Sequence, residues 1–198
     1  LHSLNPDLAI VVAFRMLPEV IWKMPKLGTF NLHASLLPDY RGAAPLNWAV
    51  INGEKQTGVT TFFLDKEIDT GAILMQRQVE IPDDWTAGDL HDHMMETGAD
   101  LVLETVRKIA RNDIEPMPQR LLETHHSAPK IFKETCEIHW NRPAKEVYDH
   151  IRGLSPFPTA WTTVEGKQWK IYKTCKTGEY AQAPAGTLNQ NGNRLFVA

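Results

Sequence analysis

The chain has 198 residues, 42% of them hydrophobic and 23% charged, enough apolar material for a sizeable core in one large domain or one and a half ordinary ones. Its 24 acids and 21 bases leave a formal charge of −3, so no global field draws it to nucleic acid or anionic lipid, and only a local basic patch remains open. No apolar run approaches the roughly 20 residues of a membrane span, no signal-peptide order opens the chain, and Cys136 and Cys175 are too few for a disulfide framework or a cysteine zinc site; a reducing cytosol fits this usage.

The opening "LHSLNPDLAIVV" reads as the tail of a helix followed by a strand, Leu8 to Ala13, whose continuous apolar run predicts a parallel strand buried on both faces. Because the first residue is Leu1 and the last segment, "NGNRLFVA", stops inside an apolar run, a fragment truncated at both ends is expected. A short helix over 18–24 is entered at Pro18. Gly28 turns into a strand over Thr29–His33, and a helix over Pro45–Ile51 carries Pro in its first turn and stops at Asn52-Gly53. Val59–Leu64 and Ile73–Ile81 alternate and are rich in β-branched residues, so they predict a strand pair around the loop "DKEIDTGA".

Leu90, Met94, Leu101, Val102, Val106 and Ile109 share one helical face, with Thr86 as N-cap and Asp89 three residues on. This long helix ends near Asn112. Residues 113–135 carry prolines, scattered charge and no period, which predicts a linker. Beyond it Pro143 opens a short helix to Gly153. Short alternating segments follow from Trp161, broken at Glu165-Gly166, Thr177-Gly178 and Asn191-Gly192, so a small, largely β second domain is expected in part.

The chemistry concentrates in "GTFNLHASLLPDYRGAAP". Residues two apart on a strand share a face, so Asn31 and His33 look the same way and Phe30 and Leu32 look the other. The strand stops before Pro38, and ligands of open α/β sheets bind beyond the carboxyl ends of the strands. An amide N–H there can stabilise an oxyanion and an imidazole can move a proton near neutral pH, a pair suited to attack on a carbonyl-like carbon. An acid must orient the ring. Asp69, in the loop closed by Gly71, is the candidate, with Asp65 as rival.

At this point "NLHASLLPDYRGAAPLNWAVINGEKQTGVTTFFLDKEIDTGAIL" resembles the folate-dependent formyltransferases. "RGAAP", "SAPKI" at 127–131 and "IRGLSPFPTAW" at 151–161 resemble the branch that acts on methionyl-tRNA and its second domain. The likeness runs from about Pro6 to the last residue. It implies an α/β fold: a Rossmann-like formyltransferase domain over 1–112, lacking its N-terminal part, a linker over 113–135, and a partial OB-like β-barrel over 136–198. Further Rossmann strands upstream, with a loop that contacts tRNA, are implied as well. Arg15 stands where the family often has Gly.

The implied activity is transfer of a formyl group from 10-formyltetrahydrofolate to the α-amine of initiator methionyl-tRNA. Asn31, His33 and Asp69 would carry the catalysis, and Ser35, Leu36, Leu37 and Pro38 would contact folate. No metal and no membrane are implied, and a cytoplasmic monomer is expected. Two alternatives share the chemistry: a formyltransferase acting on an amino-sugar nucleotide, and a formyltetrahydrofolate hydrolase. A third is a non-catalytic nucleic-acid-binding module.

Other residues carry weaker signals. Ser35 also reads as a turn cap. Arg41 and Gly42 either shape the entrance loop or meet the tRNA acceptor end. His125 and His126 are expected to face solvent without forming a metal site. Trp140, Trp161 and Trp169 fit either base stacking or a barrel core. Lys167, Lys170, Lys173 and Lys176 fit either phosphate contacts or a solvated face.

Overall fold

A computed structural model of the chain describes residues 2–13, 16–120 and 125–198. Four strands form one mixed sheet in the order β1-β2-β4-β5: β1 (Ala9–Val12), β2 (Thr29–His33), β4 (Gln56–Phe63) and β5 (Ile73–Glu80). The β1 and β2 strands run parallel, while β2–β4 and β4–β5 are antiparallel, so the expected strand pair around the 64–72 loop is a hairpin. Helix α1 (Glu19–Trp22) lies between β1 and β2, and α2 (Pro45–Ile51) spans the expected residues, with Pro45 in its first turn.

The β1 strand departs from its expectation. Ile10 and Val12 are 45% and 55% exposed, because β1 pairs on one side only and nothing among the described residues covers that face.

Helix α3 (Ala87–Ala110) supplies the other layer. The Thr86 hydroxyl accepts from the Asp89 amide and the Asp89 carboxylate accepts from the Thr86 amide, a reciprocal cap that satisfies two otherwise orphaned donors. Leu90, Met94, Leu101 and Ile109 are buried at helical spacing. Gly98 lies on the same stripe, where an added Cβ would stand 2.8 Å from Leu32 Cδ2, so the helix approaches β2 closely. The Thr61 and Thr105 hydroxyls bond each other at 2.9 Å across this interface, which satisfies two polar groups that burial would otherwise penalise.

Within 113–135, described residues on both sides of 121–124 pair with the first half. Met117 exchanges two backbone hydrogen bonds with Ile73, both 2.8 Å. Further on, Ser127–Ala128 (β6) pairs in parallel with Arg41–Gly42 (β3). Helix periodicity and alternation carry no information about such isolated pairings, which explains their invisibility in the sequence.

Beyond it lie α4 (Ala144–Gly153) and the antiparallel hairpins β7–β8 (Ala160–Val164, Lys167–Ile171) and β9–β10 (Leu188–Asn191, Arg194–Val197). Glu165 and Gly166, with φ of 50° and 75°, make the left-handed turn that matches strand twist. The hairpins form separate two-stranded sheets, and the described residues close no barrel between them. Cys136, Ile138, Ile151, Leu154 and Ala160 are the buried centre of this half. The two halves meet where α4 packs on α2: Asn47 Nδ2 donates to the Gly153 carbonyl at 2.8 Å, and an added Cβ at Gly153 would lie 2.7 Å from the Ile51 nitrogen.

Candidate active site

The alternation of β2 turns Phe30 into the core beneath α3, beside Val102, Val106 and Ile109, and presents Asn31 and His33 to a cavity of about 1430 Å³. His33 is 7% exposed. Its Nε2 lies 2.9 Å from the Tyr40 carbonyl oxygen. A carbonyl can only accept, so the ring carries its proton on Nε2, and in the neutral imidazole Nδ1 keeps a lone pair. That nitrogen stands 3.8 Å from Asp69 Oδ2, an ion-pairing distance longer than a hydrogen bond. The edge of Phe62 closes the ring from the side, with centroids 6.3 Å apart. The Asn31 carboxamide is half-buried and finds no hydrogen-bond partner among the described residues.

Asp69 reaches this place by the geometry of the 64–72 loop. The Phe63 amide donates to the Ala72 carbonyl at 2.9 Å, and Gly71 lies so close that a Cβ there would overlap the Phe63 carbonyl oxygen. Asp69 itself has φ of 56°, a left-handed conformation that Asp tolerates better than most residues. Its Oδ2 accepts from the Gly42 amide at 3.0 Å. Asp65, the rival, lines the cavity but is exposed and bonds the amide of Lys66 beside it at 2.7 Å. The structure thus brings Asn31, His33 and Asp69 to one cavity wall. Leu17, Trp22, Ile68 and Val102 make its apolar side, and Asn47 and His91 add polar groups, the mixture typical of small-molecule sites.

Ser35, Leu36, Leu37 and Pro38 are placed elsewhere: none of the four lines the cavity. Ser35 and Leu37 are buried. The Thr60 hydroxyl donates to the Ser35 carbonyl at 2.6 Å and accepts from the Leu37 amide at 3.2 Å, while Gln76 Nε2 donates to the Leu37 carbonyl at 2.9 Å. Ser35 Oγ donates to the Asp39 carbonyl, as its reading as a turn cap expects. These bonds bind the segment to β4 and β5 because it must bury its backbone polar groups against the sheet. Gly42, Ala43 and Ala44 line the cavity in its stead.

The remaining candidates sort in the same way. Arg41 bonds Gln119 and does not line the cavity, and Arg15 lies outside the described residues. His125 and His126 are exposed. The His126 ring nevertheless stacks on Tyr40 at 5.1 Å and stands 3.4 Å from Asp39 Oδ2. Trp140 and Trp161 pack against the buried centre of the second half and spend their indole N–H groups on Thr162 Oγ1 and the Lys133 carbonyl. Trp169 is 42% exposed, and Lys167, Lys170, Lys173 and Lys176 face solvent.

Two residues with a part in the site escaped the sequence reading. Tyr40 acts through its backbone carbonyl, a group every residue has. Its phenol donates to Glu54 and accepts from Asn52, and burial pushes its pKa well above the ordinary tyrosine range. Gln119 sits in the segment read as a linker.

Residues 1–106 match the family described as Formyl transferase, and residues 130–198 match the Formyl transferase C-terminal domain. A methionyl-tRNA formyltransferase of Phocaeicola vulgatus is 59% identical over 96% of this chain and 61% of its own length, and one of Bacteroides thetaiotaomicron is 53% identical over 99% and 63%. The chain therefore spans a little over three-fifths of the length of these curated relatives. Among solved structures, HypX from Aquifex aeolicus in complex with tetrahydrofolic acid is 27% identical, with a TM-score of 0.73 over 85% of this chain and 29% of that one. The N-formyltransferase from Helicobacter canadensis, in complex with folinic acid and dTDP-3-aminofucose, shares the fold at 23% identity and a TM-score of 0.73, over 93% of this chain and 67% of that one. With matches over both halves and this identity to its relatives, the chain belongs to the formyl transferase family.

Proposed function

We propose that the protein transfers the formyl group of 10-formyltetrahydrofolate to the α-amine of methionyl-initiator tRNA for translation initiation, as a cytoplasmic monomer. Residues 1–112 would be the catalytic domain, 113–135 the connection and 136–198 the second domain. The observation that carries the reading is the approach of a carboxamide, an imidazole nitrogen and a carboxylate to one cavity, at the carboxyl end of β2. The names of the relatives and the folate ligand of one structural neighbour support the substrates. The apolar wall of Leu17, Trp22, Ile68 and Val102 suits the flat rings of a folate.

In this reading the amine nitrogen forms a bond to the formyl carbon, and the bond from that carbon to the folate nitrogen breaks. Asn31 Nδ2–H donates to the formyl oxygen as negative charge builds there, a contribution of roughly 10²–10³ in rate for one such donor. His33 Nδ1 takes the proton that the amine gives up and returns it to the departing nitrogen. Asp69 holds negative charge beside the ring while it is cationic. The Tyr40 carbonyl keeps the Nε2 proton in place, so that the working nitrogen is Nδ1.

The test is formyl transfer by the full-length protein from 10-formyltetrahydrofolate, with methionyl-tRNA and an amino-sugar nucleotide offered in parallel. Formylation of the methionyl-tRNA is expected. Activity confined to the sugar nucleotide, or release of formate with neither acceptor modified, would overturn the assignment. So would undiminished function after His33→Ala, the result expected of a pure binding module.

A further inference from the structure

Asp69 is held from two sides. Its carboxylate accepts from the Gly42 amide at 3.0 Å. Its backbone carbonyl accepts from Gln119 Nε2 at 2.9 Å, and the same nitrogen donates to the Gly71 carbonyl at 2.8 Å. The Gln119 oxygen accepts from Arg41 Nε and Nη2 at 3.1 and 2.6 Å. Every donor and both lone pairs of the amide are thereby used. Arg41 and Gly42 are neighbours in the chain, so the bonds close a ring: Arg41 to Gln119, Gln119 to Asp69, Asp69 to Gly42.

The ring has a local reason. Asp69 occupies a left-handed conformation, which for a residue with a Cβ persists only where the surroundings impose it. Gln119 binds the carbonyls on both sides of the turn that contains this conformation. It is itself fixed by the Met117–Ile73 backbone pair two residues before it and by the β6–β3 pairing after it. Nothing ties the Asp69 carboxylate to His33 by a hydrogen bond, since the separation is 3.8 Å. The distance between the two groups is therefore set by the Gly42 amide and by the backbone that carries Asp69, and Gln119 grips that backbone.

We propose that Gln119, in the segment connecting the two halves, is a positioning residue that holds Asp69 at its working distance from His33, so that the connecting segment is part of the catalytic apparatus. This rests on the catalytic reading above. Three variants of the full-length protein separate its parts. Gln119→Met keeps the length and loses both kinds of bond. Gln119→Glu keeps an acceptor for Arg41 but sets a carboxylate against two carbonyl oxygens. Arg41→Met leaves the grip on Asp69 and removes only the outer pin.

For Gln119→Met and Gln119→Glu, kcat is expected to fall by about tenfold or more while KM for both substrates stays within about twofold, because a displaced group weakens the transition state more than substrate binding. Arg41→Met should lose less, in the same parameter. The decisive measurement is a double-mutant cycle with Asp69→Asn. If Gln119 acts through the aspartate, Gln119→Met in that background costs no more than about twofold. Wild-type kcat in the Gln119 variants, or a loss carried in full into the Asp69→Asn background, overturns the proposal. Absence of formyl transfer in the unaltered protein would instead overturn the assignment of function, so the two failures are distinct.

Discussion

Asn31 and His150 show how one side chain's surroundings set what it can do. Asn31 has no hydrogen-bond partner among the described residues and faces the cavity. Asn31→Ala should therefore lower kcat by roughly 10²–10³ with the fold intact, read by steady-state transfer kinetics beside a thermal melt. A loss of melting temperature with unchanged kcat would assign the residue to stability. His150 is the opposite case. Burial, aided by the positive charge of Arg142 and opposed by the backbone of Cys136 and Glu137, pushes its imidazole below the ordinary 6.5, and its Nε2 is buried with no hydrogen-bond partner among the described residues. Its native state resists protonation, so the unfolded chain binds more protons once the pH drops below about 6.5. Stability is then undiminished above that value and falls as the pH falls below it. Urea midpoints at about pH 7.5 and about pH 5 should differ less in His150→Leu than in the unaltered protein.

At the scale of the element, the 64–72 loop is a tightly constrained connection. A Cβ at Gly71 would overlap the Phe63 carbonyl oxygen, which is backbone and cannot swing aside. Gly71→Ala should thus displace the loop and remove about 10²-fold or more of the activity, the expected effect of misplacing a catalytic group by about an ångström. Circular dichroism should stay native, because the residue lies outside the hairpin strands. A variant with full activity would show that the loop has slack. The same element shows the reach of the sequence. Asp69 was legible as an acid before a turn, since Asp-Thr-Gly after a β-branched run marks a loop. Its grip by Gln119 was not, because 50 residues separate the two and no local pattern encodes such a pairing.

At the scale of the whole molecule, the junction of the halves contains a buried ion pair. Arg152 Nε bonds Asp149 Oδ1 at 2.7 Å with both side chains 6% exposed, Arg152 Nη1 donates to the Trp85 carbonyl, and Lys145 reaches Asp149 from the surface at 2.6 Å. Arg152→Met would leave a buried carboxylate with one exposed partner and should cost about 3–5 kcal/mol in denaturant unfolding. The double variant Asp149→Leu, Arg152→Met should recover most of that loss, since two apolar side chains need no compensation. A single variant as stable as the original would mean that water already reaches the pair.

By itself the sequence determined the longer elements and the chemistry along them. Alternation fixed which way Asn31 and His33 face. The 3.6-residue period and the Thr86–Asp89 cap fixed α3, and Pro45 and Asn52-Gly53 bounded α2. These are short-range effects, written in neighbouring residues. Only the tertiary structure decided that Ser35–Pro38 does not line the cavity, that the Tyr40 carbonyl selects the His33 nitrogen left facing Asp69, and that Gln119 straps the Asp69 loop. Those outcomes depend on backbone groups common to all residues and on contacts distant in the chain, so packing selects among them where composition and spacing do not.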